Sequence, residues 1–567
     1  MKAAGSKGFR TYKQALAENQ DWKTAYLKEL KKLEERGGLK VVPRQKYMKC
    51  LPFVEVLTEK TDNVTGEKIL KVRLAARGDL ERPENVYSLA SGAEEMRMFI
   101  VLMKTLGAHV RQGDCPSAYL NGRLDKPVHL LLPEGHPKKS SKNDLVYECP
   151  ASLYGLAVAG RVWYFKFVEV VEKFGLKPSL RSPCLFMVSK KGSTLYLQLY
   201  VDDFLFGSQD VKLVQECEDF LLKEFQVKST QDVTKFVGME IDRSEKGLFM
   251  HQQKMIVDLG VDYRIEKSPK SPMIANLVWN KDSTPLEDIK PLQKLFGELN
   301  YIAGLSRPDI SYPVNRIARR LHDGTKEVYR SAKRILSYLV STNDLALEVK
   351  PWRKDEWELK VYCDASFADV VEDKYKSTGG FIIYLNDSVV AWKTKKMKWI
   401  CNSTAESEYL SLYFASKKAI TLAFIVKEVF GKDVFPVKVM MDNQAVVQVM
   451  QRNAPGEFTK HMKTKYFSVQ FWQEIGLINV EFVTSKENIA DCFTKQPATG
   501  YDDFVKTVLK SRGSVVNRIP TLTNQVPRRI NGDRGRASDR TDRIRDNVCR
   551  ENLPEESRKI QNTNTAI

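Results

Sequence analysis

Between residues 193 and 208 the sequence STLYLQLYVDDFLFGS runs apolar and aromatic up to Asp202 and Asp203, then away from them again. Two short apolar runs around a polar pair predict a buried β-hairpin with adjacent carboxylates at its turn. The pattern alone leaves open whether that turn is merely solvated or is a built carboxylate site. Within residues 1–45, Trp22, Ala25, Tyr26, Leu30 and Leu33 recur at helical spacing among Lys and Glu, and Gly37-Gly38 stops the run. Residues 50–78 predict two strands, LPFVEVLTEK and EKILKVRLAARG, flanking a turn at 62–66. Lys71, Arg73 and Arg77 alternate with Val72, Leu74 and Ala76, so the three basic side chains share one strand face. Such a face is either solvated or suited to a triphosphate.

Residues 86–112 predict an apolar helix and then a short strand ending at Asp114, with Pro116 suited to a first helical turn. Residues 210–350 predict mostly helices, with a loop at 282–290. One of these helices, YRSAKRILSYLVST at 329–342, is basic and amphipathic, its cations facing either solvent or a template. From Lys360 the pattern changes. KVYCDASFA predicts a strand ending near Asp364, and two strands follow around a turn at Asn386-Asp387. A long helix starts near Thr404, then a strand ending in MMDNQ, a helix, the strand VEFVTSK and a helix beginning IADCFTK. This order predicts a mixed sheet covered by helices. Residues 511–567 contain no aromatic residue and many Arg, Asn, Asp and Thr, which predicts a disordered basic tail.

Composition narrows the function classes. The 567 residues allow three or four domains, and 43% hydrophobic content is enough to build their cores. With 90 Lys and Arg against 71 Asp and Glu, the formal charge of +19 favours a polyanionic partner, either nucleic acid or an anionic membrane. The N-terminus MKAAGSKGFRTYKQ has no apolar signal core, and no stretch of about 18 apolar residues is expected, so no membrane partner is expected. The nine Cys include no C-x-x-C pair and there are only six His, which argues against structural zinc and for a reducing intracellular compartment.

GDCPSAYLNGRLDKPVHLLLPEGH from residue 113 resembles the first palm motif of the reverse transcriptase in Ty/copia-type LTR retrotransposon Pol polyproteins. SLYGLAVAGRVWY (152–164) and LYVDD resemble the next two motifs, in order, and KFVGMEIDRSEKGLFMHQQKMI and GELNYIAGLSRPDISYPVNRIARRL resemble the segments that follow. The likeness runs to about residue 508. It implies a multidomain α+β and α/β chain: an N-terminal helical segment (1–45), fingers and palm (46–210), thumb and connection (211–350), a ribonuclease H-like domain (351–510) and the tail (511–567). In the polymerase Asp114 and Asp202 would hold two divalent ions with Asp203 beside them, and Tyr119, Lys71 and Arg73 would contact the incoming nucleotide. Four positions depart from the family: Ala157-Val158 stand where Lys-Gln is usual, Gly113 where a bulky apolar residue is usual, and Pro116 where Pro is unusual.

In the ribonuclease H-like part the resemblance assigns metal binding to Asp364, Glu408, Asp442 and Asp491, with Glu406 as an alternative to Glu408. His461 also matches a family position, for product release or packing, whereas Lys463 and Phe467 depart from the usual Asp and His. The implied cofactor is Mg²⁺ or Mn²⁺, two per site, because charge building on entering and leaving oxygens is stabilised by paired hard cations. The implied partners are an RNA template, a DNA primer strand, an RNA–DNA hybrid and dNTPs, with retrotransposon capsid and integrase proteins. The expected location is intracellular, in cytoplasmic virus-like particles and the nucleus. The rival reading is an inactive retroelement remnant that at most binds nucleic acid.

Overall fold

A computed structural model of the chain describes residues 11–61, 68–81, 89–244, 247–266, 269–275, 277–279, 283–352, 355–368, 374–398, 400–452, 463–496 and 500–512. The expected turn at 62–66, His461 and the tail beyond 512 lie outside the described residues.

After a short helix, Tyr12–Glu18, α1 (Asp21–Gly37) buries Trp22, Tyr26, Leu30 and Leu33 along one face. It ends where Gly38 takes a left-handed conformation (φ 65°) that a side chain would strain. A strand, Lys40–Pro43, falls inside the stretch expected to be helical, where Val41-Val42 before Pro43 favour an extended chain. β1 (Phe53–Thr61) and β2 (Lys68–Ala76) then form an antiparallel ribbon with Lys71 opposite Thr58 and Arg73 opposite Val56. Arg77 lies beyond β2 and pairs with Asp79, so it leaves the face shared by Lys71 and Arg73.

α2 (Ala93–Thr105) is the helix expected within 86–112 ahead of a strand, and it is buried continuously from Met96 to Met103. It leads into β3 (His109–Asp114). Pro116 sits in the turn that follows, ahead of a single 3-10 turn at Ala118–Asn121, and not in a helix. Next come α3 (Ala159–Phe174), β4 (Leu185–Lys190), β5 (Ser193–Tyr200), β6 (Asp203–Ser208), α4 (Val211–Phe225) and β7 (Lys228–Thr230). The strands form a six-stranded sheet in the order β7-β3-β6-β5-β4, closed by the two-residue strand Lys177–Pro178. Because side chains alternate across a strand, neighbours sort into two cores. Phe204 and Phe206 join α3 and α4, whereas Leu205 and Tyr196 join α2.

Residues 228–251, expected to be mostly helical, are mostly strand. In β8 (Met239–Ser244) buried Met239 and Ile241 alternate with Glu240 and Asp242, a two-residue period, and β9 (Gly247–His251) pairs with it. α5 (Lys290–Leu305), α6 (Ser311–Arg320) and α7 (Lys326–Ser341) follow as expected, then β10 (Leu345–Val349), antiparallel to β9.

The last unit contains β11 (Leu359–Ser366), β12 (Thr378–Leu385), β13 (Ser388–Lys396), α8 (Thr404–Phe430), β14 (Val437–Met441), α9 (Gln444–Arg452), α10 (Lys463–Glu474) and β15 (Ile478–Phe482). Its sheet runs β13-β12-β11-β14-β15, antiparallel across β13, β12 and β11 and parallel across β11, β14 and β15. Asn386 and Asp387 make the two-residue turn between β12 and β13, with φ 50° and 61°. That left-handed pair is where Asn and Asp are tolerated. α8 is long and apolar enough to cross a bilayer, contrary to the expectation that no such stretch occurs, but it is mostly buried and packs on β11 and β12. The segment expected to open a final helix is a single 3-10 turn, Ile489–Phe493, which the Asn488 side chain caps through the Ala490 N–H.

α11 (Tyr501–Val508) and β16 (Lys510–Ser511) return the chain to β10. Ser511 and Arg512, read from sequence as tail, are thus held in place. Arg512 donates to Gln253 Oε1 at 2.6 Å and also meets Asp242. One contiguous core joins α2, α5 to α7 and the last sheet. At its centre the fully buried Arg97 of α2 donates to the carbonyls of Val390 on β13 and of Gly304 and Leu305 on α5, at 2.8, 3.0 and 2.9 Å. Its guanidinium lies over the Trp392 ring, 3.9 Å from the centroid.

Candidate active sites

The antiparallel register of β3 and β6 sets Asp203 directly across from Asp114, and Asp202 occupies the tip of the β5–β6 turn. The Cys115 N–H donates to the Asp202 carbonyl at 2.9 Å, tying the end of β3 to that tip. The turn has two central residues, of which Val201 has φ 58°. A left-handed β-branched residue is strained by of order 1–3 kcal/mol. The Nε1 of Trp163, a buried residue of α3, donates to the Val201 carbonyl at 2.5 Å.

Asp114 and Asp202 line a cleft of about 1050 Å³ together with seven Lys and Arg side chains, two further acids of α1, Glu29 and Glu35, and apolar residues. Lys71 and Arg73 come from β2, Lys28, Lys31, Lys32 and Arg36 from α1, and Lys228 from β7, where it is the cross-strand partner of Asp114. The helical spacing of the α1 cations was a readable signal that the sequence reading did not use. Asp203 does not line the cleft. It is partly buried, and burial followed by the charges of Asp202 and Asp114 pushes its carboxyl up to about 6. Asp114 is also raised, by burial and then Asp202, against the opposing pull of Lys228 and Lys71. Tyr119 stands back from the cleft. Its ring meets Tyr154 edge-on at 4.4 Å, and it is the Tyr154 hydroxyl that donates to Asp202 Oδ2, at 3.3 Å.

The family departures have visible settings. A Cβ on Gly113 would stand 2.3 Å from Cζ of Phe204, whose ring fills the space a larger residue would use. At the other departure the Ala157 N–H donates to Glu81 Oε2 at 3.2 Å, and Val158 is the N-cap of α3.

The second cluster sits on the last sheet. Asp364 is on β11, Asp442 directly follows β14, and Glu408 is in the first turns of α8. Each places one carboxylate oxygen within 4.8 Å of the others. Asp364 and Glu408 are buried, and Glu408 Oε2 has no hydrogen-bond partner among the described residues. Burial, then Asp364 and Asp442, push the Glu408 carboxyl up to about 10. Burial foremost, with Asp491 and Asp442 adding to it, pushes Asp364 up to about 6. Three acids that cannot all ionise unaided, one with an orphaned oxygen, suit a hard divalent cation, which takes carboxylate oxygens as ligands.

Glu406 does something else: it accepts the Asn402 backbone N–H at 2.6 Å beside the Ser403 N-cap of α8. Asp491 stands outside the three-acid group and is bonded to Lys495. Burial disfavours the Lys495 ammonium, but Asp491 holds it above its ordinary range. Thr494 donates to Asp364 Oδ2, and Asn488 Nδ2 donates to Asp442 Oδ1 at 3.1 Å. The sequence reading missed these three neighbours, although all flank Asp491. The 3-10 turn approaches closely because Gly380, cross-strand from Asp364, has no side chain; a Cβ there would lie 2.5 Å from that of Phe493.

Residues 38–268 match the reverse transcriptase (RNA-dependent DNA polymerase) family. A retrovirus-related Pol polyprotein from transposon RE2 of Arabidopsis thaliana is 28% identical over 447 residues, covering 78% of this chain and 30% of its own length. A transposon Ty5-1 protein of Saccharomyces cerevisiae is 30% identical over 303 residues, 53% of this chain and 97% of its own length. The chain therefore spans about a third of the Pol polyproteins it matches. Among solved structures, a foamy viral protease-reverse transcriptase in complex with double-stranded DNA aligns with a TM-score of 0.46 at 14% identity, over 86% of this chain and 72% of its own.

Proposed function

Because the chain belongs to the reverse transcriptase family found in Pol polyproteins of Ty1/copia-type transposons, we propose that it copies RNA into DNA and cleaves the RNA of the resulting hybrid. The observation that carries this reading is that Asp114 and Asp202 line one cleft with Lys28, Lys31, Lys32, Arg36, Lys71, Arg73 and Lys228, which outnumber the other acids there, Glu29 and Glu35. Mixed charge of that kind suits a nucleotide triphosphate and a polyanionic strand.

In this reading Asp114, Asp202 and Asp203 would hold two divalent ions at the polymerase site, and Asp364, Glu408, Asp442 and Asp491 would hold two at the ribonuclease site. The ions, when bound, stabilise negative charge on the entering and leaving oxygens. The protein's own residues orient the substrates. Lys71 and Arg73 neutralise the triphosphate from β2, the α1 cations follow the template backbone, and Tyr119 backs Tyr154, which lines the cleft beside Asp202. At the second site Asn488 and Thr494 fix two carboxylates, and Lys495 accompanies Asp491. The RNA strand is distinguished through its 2′-hydroxyls. The proposed partners are template RNA, primer DNA, the hybrid and dNTPs. Association with capsid and integrase proteins, and action in cytoplasmic virus-like particles and the nucleus, belong to the same proposal through family membership.

The test is primer extension on an RNA template with Mg²⁺, with the template labelled in the same reaction. Extension with template shortening supports both activities. Shortening without extension removes the polymerase half. Tight hybrid binding with neither activity leaves a nucleic-acid-binding remnant.

A further inference from the structure

Trp163 has no part in the chemistry proposed above, yet its indole N–H meets the one strained peptide of the Asp202 turn. A positive φ at the first central residue of a two-residue hairpin turn is a position for Gly, and Val201 occupies it. Val201 has every steric reason to flip out of that conformation. Two hydrogen bonds oppose the flip: Trp163 Nε1 to the Val201 carbonyl, and the Cys115 N–H to the Asp202 carbonyl. The indole cannot swing away. Its ring is wedged against Phe167 and Phe225, with centroids 5.6 and 5.4 Å apart, and it is almost wholly buried. An N–H held that rigidly fixes the carbonyl it meets.

We propose that Trp163 is a positioning residue for the polymerase reaction: its N–H clamps the strained Val201–Asp202 turn so that the Asp202 carboxylate stays beside Asp114 in the cleft. The proposal rests on the polymerase reading of this site. It assigns to α3 a role beyond packing and explains why a strained turn persists at the tip of a well-packed hairpin.

The experiment compares the full chain with Trp163→Phe, Val201→Gly and the double variant, in single-nucleotide primer extension and in thermal unfolding. Phe keeps the ring contacts and removes the donor; Gly removes the strain the donor restrains. Trp163→Phe is expected to lower kcat about tenfold with little change in KM for the dNTP. In the Val201→Gly background the same change is expected to cost less than about threefold, and the Tm loss should shrink in parallel. Equal losses in both backgrounds, in kcat or in Tm, would mean that Trp163 only packs, and the clamp would be wrong. If the parent chain extends no primer, the polymerase reading fails on its own. The Tm coupling still decides the clamp: a loss that shrinks with Val201→Gly upholds it, and an equal loss overturns it.

Discussion

Asp114 and Asp203 are direct cross-strand partners, and Lys228 is the partner of Asp114 on its other side. One acid thus has a like charge on one flank and an opposite charge on the other. Burial and then the neighbouring Asp202 raise the Asp114 carboxyl, and Lys228 with Lys71 opposes that rise.

Separate sites predict separable losses. Asp202→Asn should reduce DNA synthesis by roughly two orders of magnitude or more and leave RNA cleavage intact. Asp442→Asn should do the reverse. Extension and template-cleavage assays on the same preparations read both, and a variant that lost both would break the two-site account.

Glu406 and Glu408 should part company in the same assays. Glu406→Ala removes the acceptor of the Asn402 N–H and should cost about 1 kcal/mol of stability while RNA cleavage persists. Glu408→Gln should abolish cleavage and, because burial, Asp364 and Asp442 already keep the Glu408 carboxyl protonated at neutral pH, leave the metal-free protein about as stable as the parent.

The raised carboxyls give pH dependence a definite sign. In EDTA, Asp203 and Asp364 hold protons to about 6 in the folded state, whereas in the unfolded chain they release them near pH 4. Their stabilising contribution is therefore complete below about pH 4 and is lost as the pH rises through about 6. Thermal unfolding of the parent and of Asp364→Asn across that window should show the loss shrink in the variant. Glu408, raised to about 10, is still protonated at neutral pH. Mg²⁺ binding should then release about one proton, measurable by calorimetry in buffers of different ionisation enthalpy, and Glu408→Gln should cancel it.

Gly113 and Phe204 share one space. Gly113→Val forces a side chain into the Phe204 ring and should cost about 1–3 kcal/mol. Phe204→Leu in the same chain should recover part of it. Urea unfolding of the two single variants and the double variant measures the exchange.

Much of this was legible because a single period decided it. The alternation that put Lys71 and Arg73 on one face of β2 also turned both toward the acids, and the apolar runs around Asp202 and Asp203 fixed the hairpin. Arg77 shared that alternation but lay one residue past the strand, where Asp79 captured it. Residues 228–251 were misread because their strands are short and lie among helices. Arg97 carried no local signal: it reads as one cation in an apolar helix, and its partners are chosen by tertiary packing. Lys495 and Thr494 were hidden for a related reason. Their meaning depends on Gly380, more than a hundred residues earlier, letting the 3-10 turn come close.

The Arg97 bond to Val390 spans 293 positions of the chain. Helix α2 is made early, yet its buried guanidinium has no carbonyl of β13 to meet until that strand leaves the ribosome. At about 5–20 residues per second, the wait is about 15–60 s. During that interval the charged face of α2 needs water, and the apolar residues around it cannot close. Synthesis order therefore imposes a late step on this protein: α2 and the helices α5 to α7 complete their shared core only when the last sheet arrives to seal it.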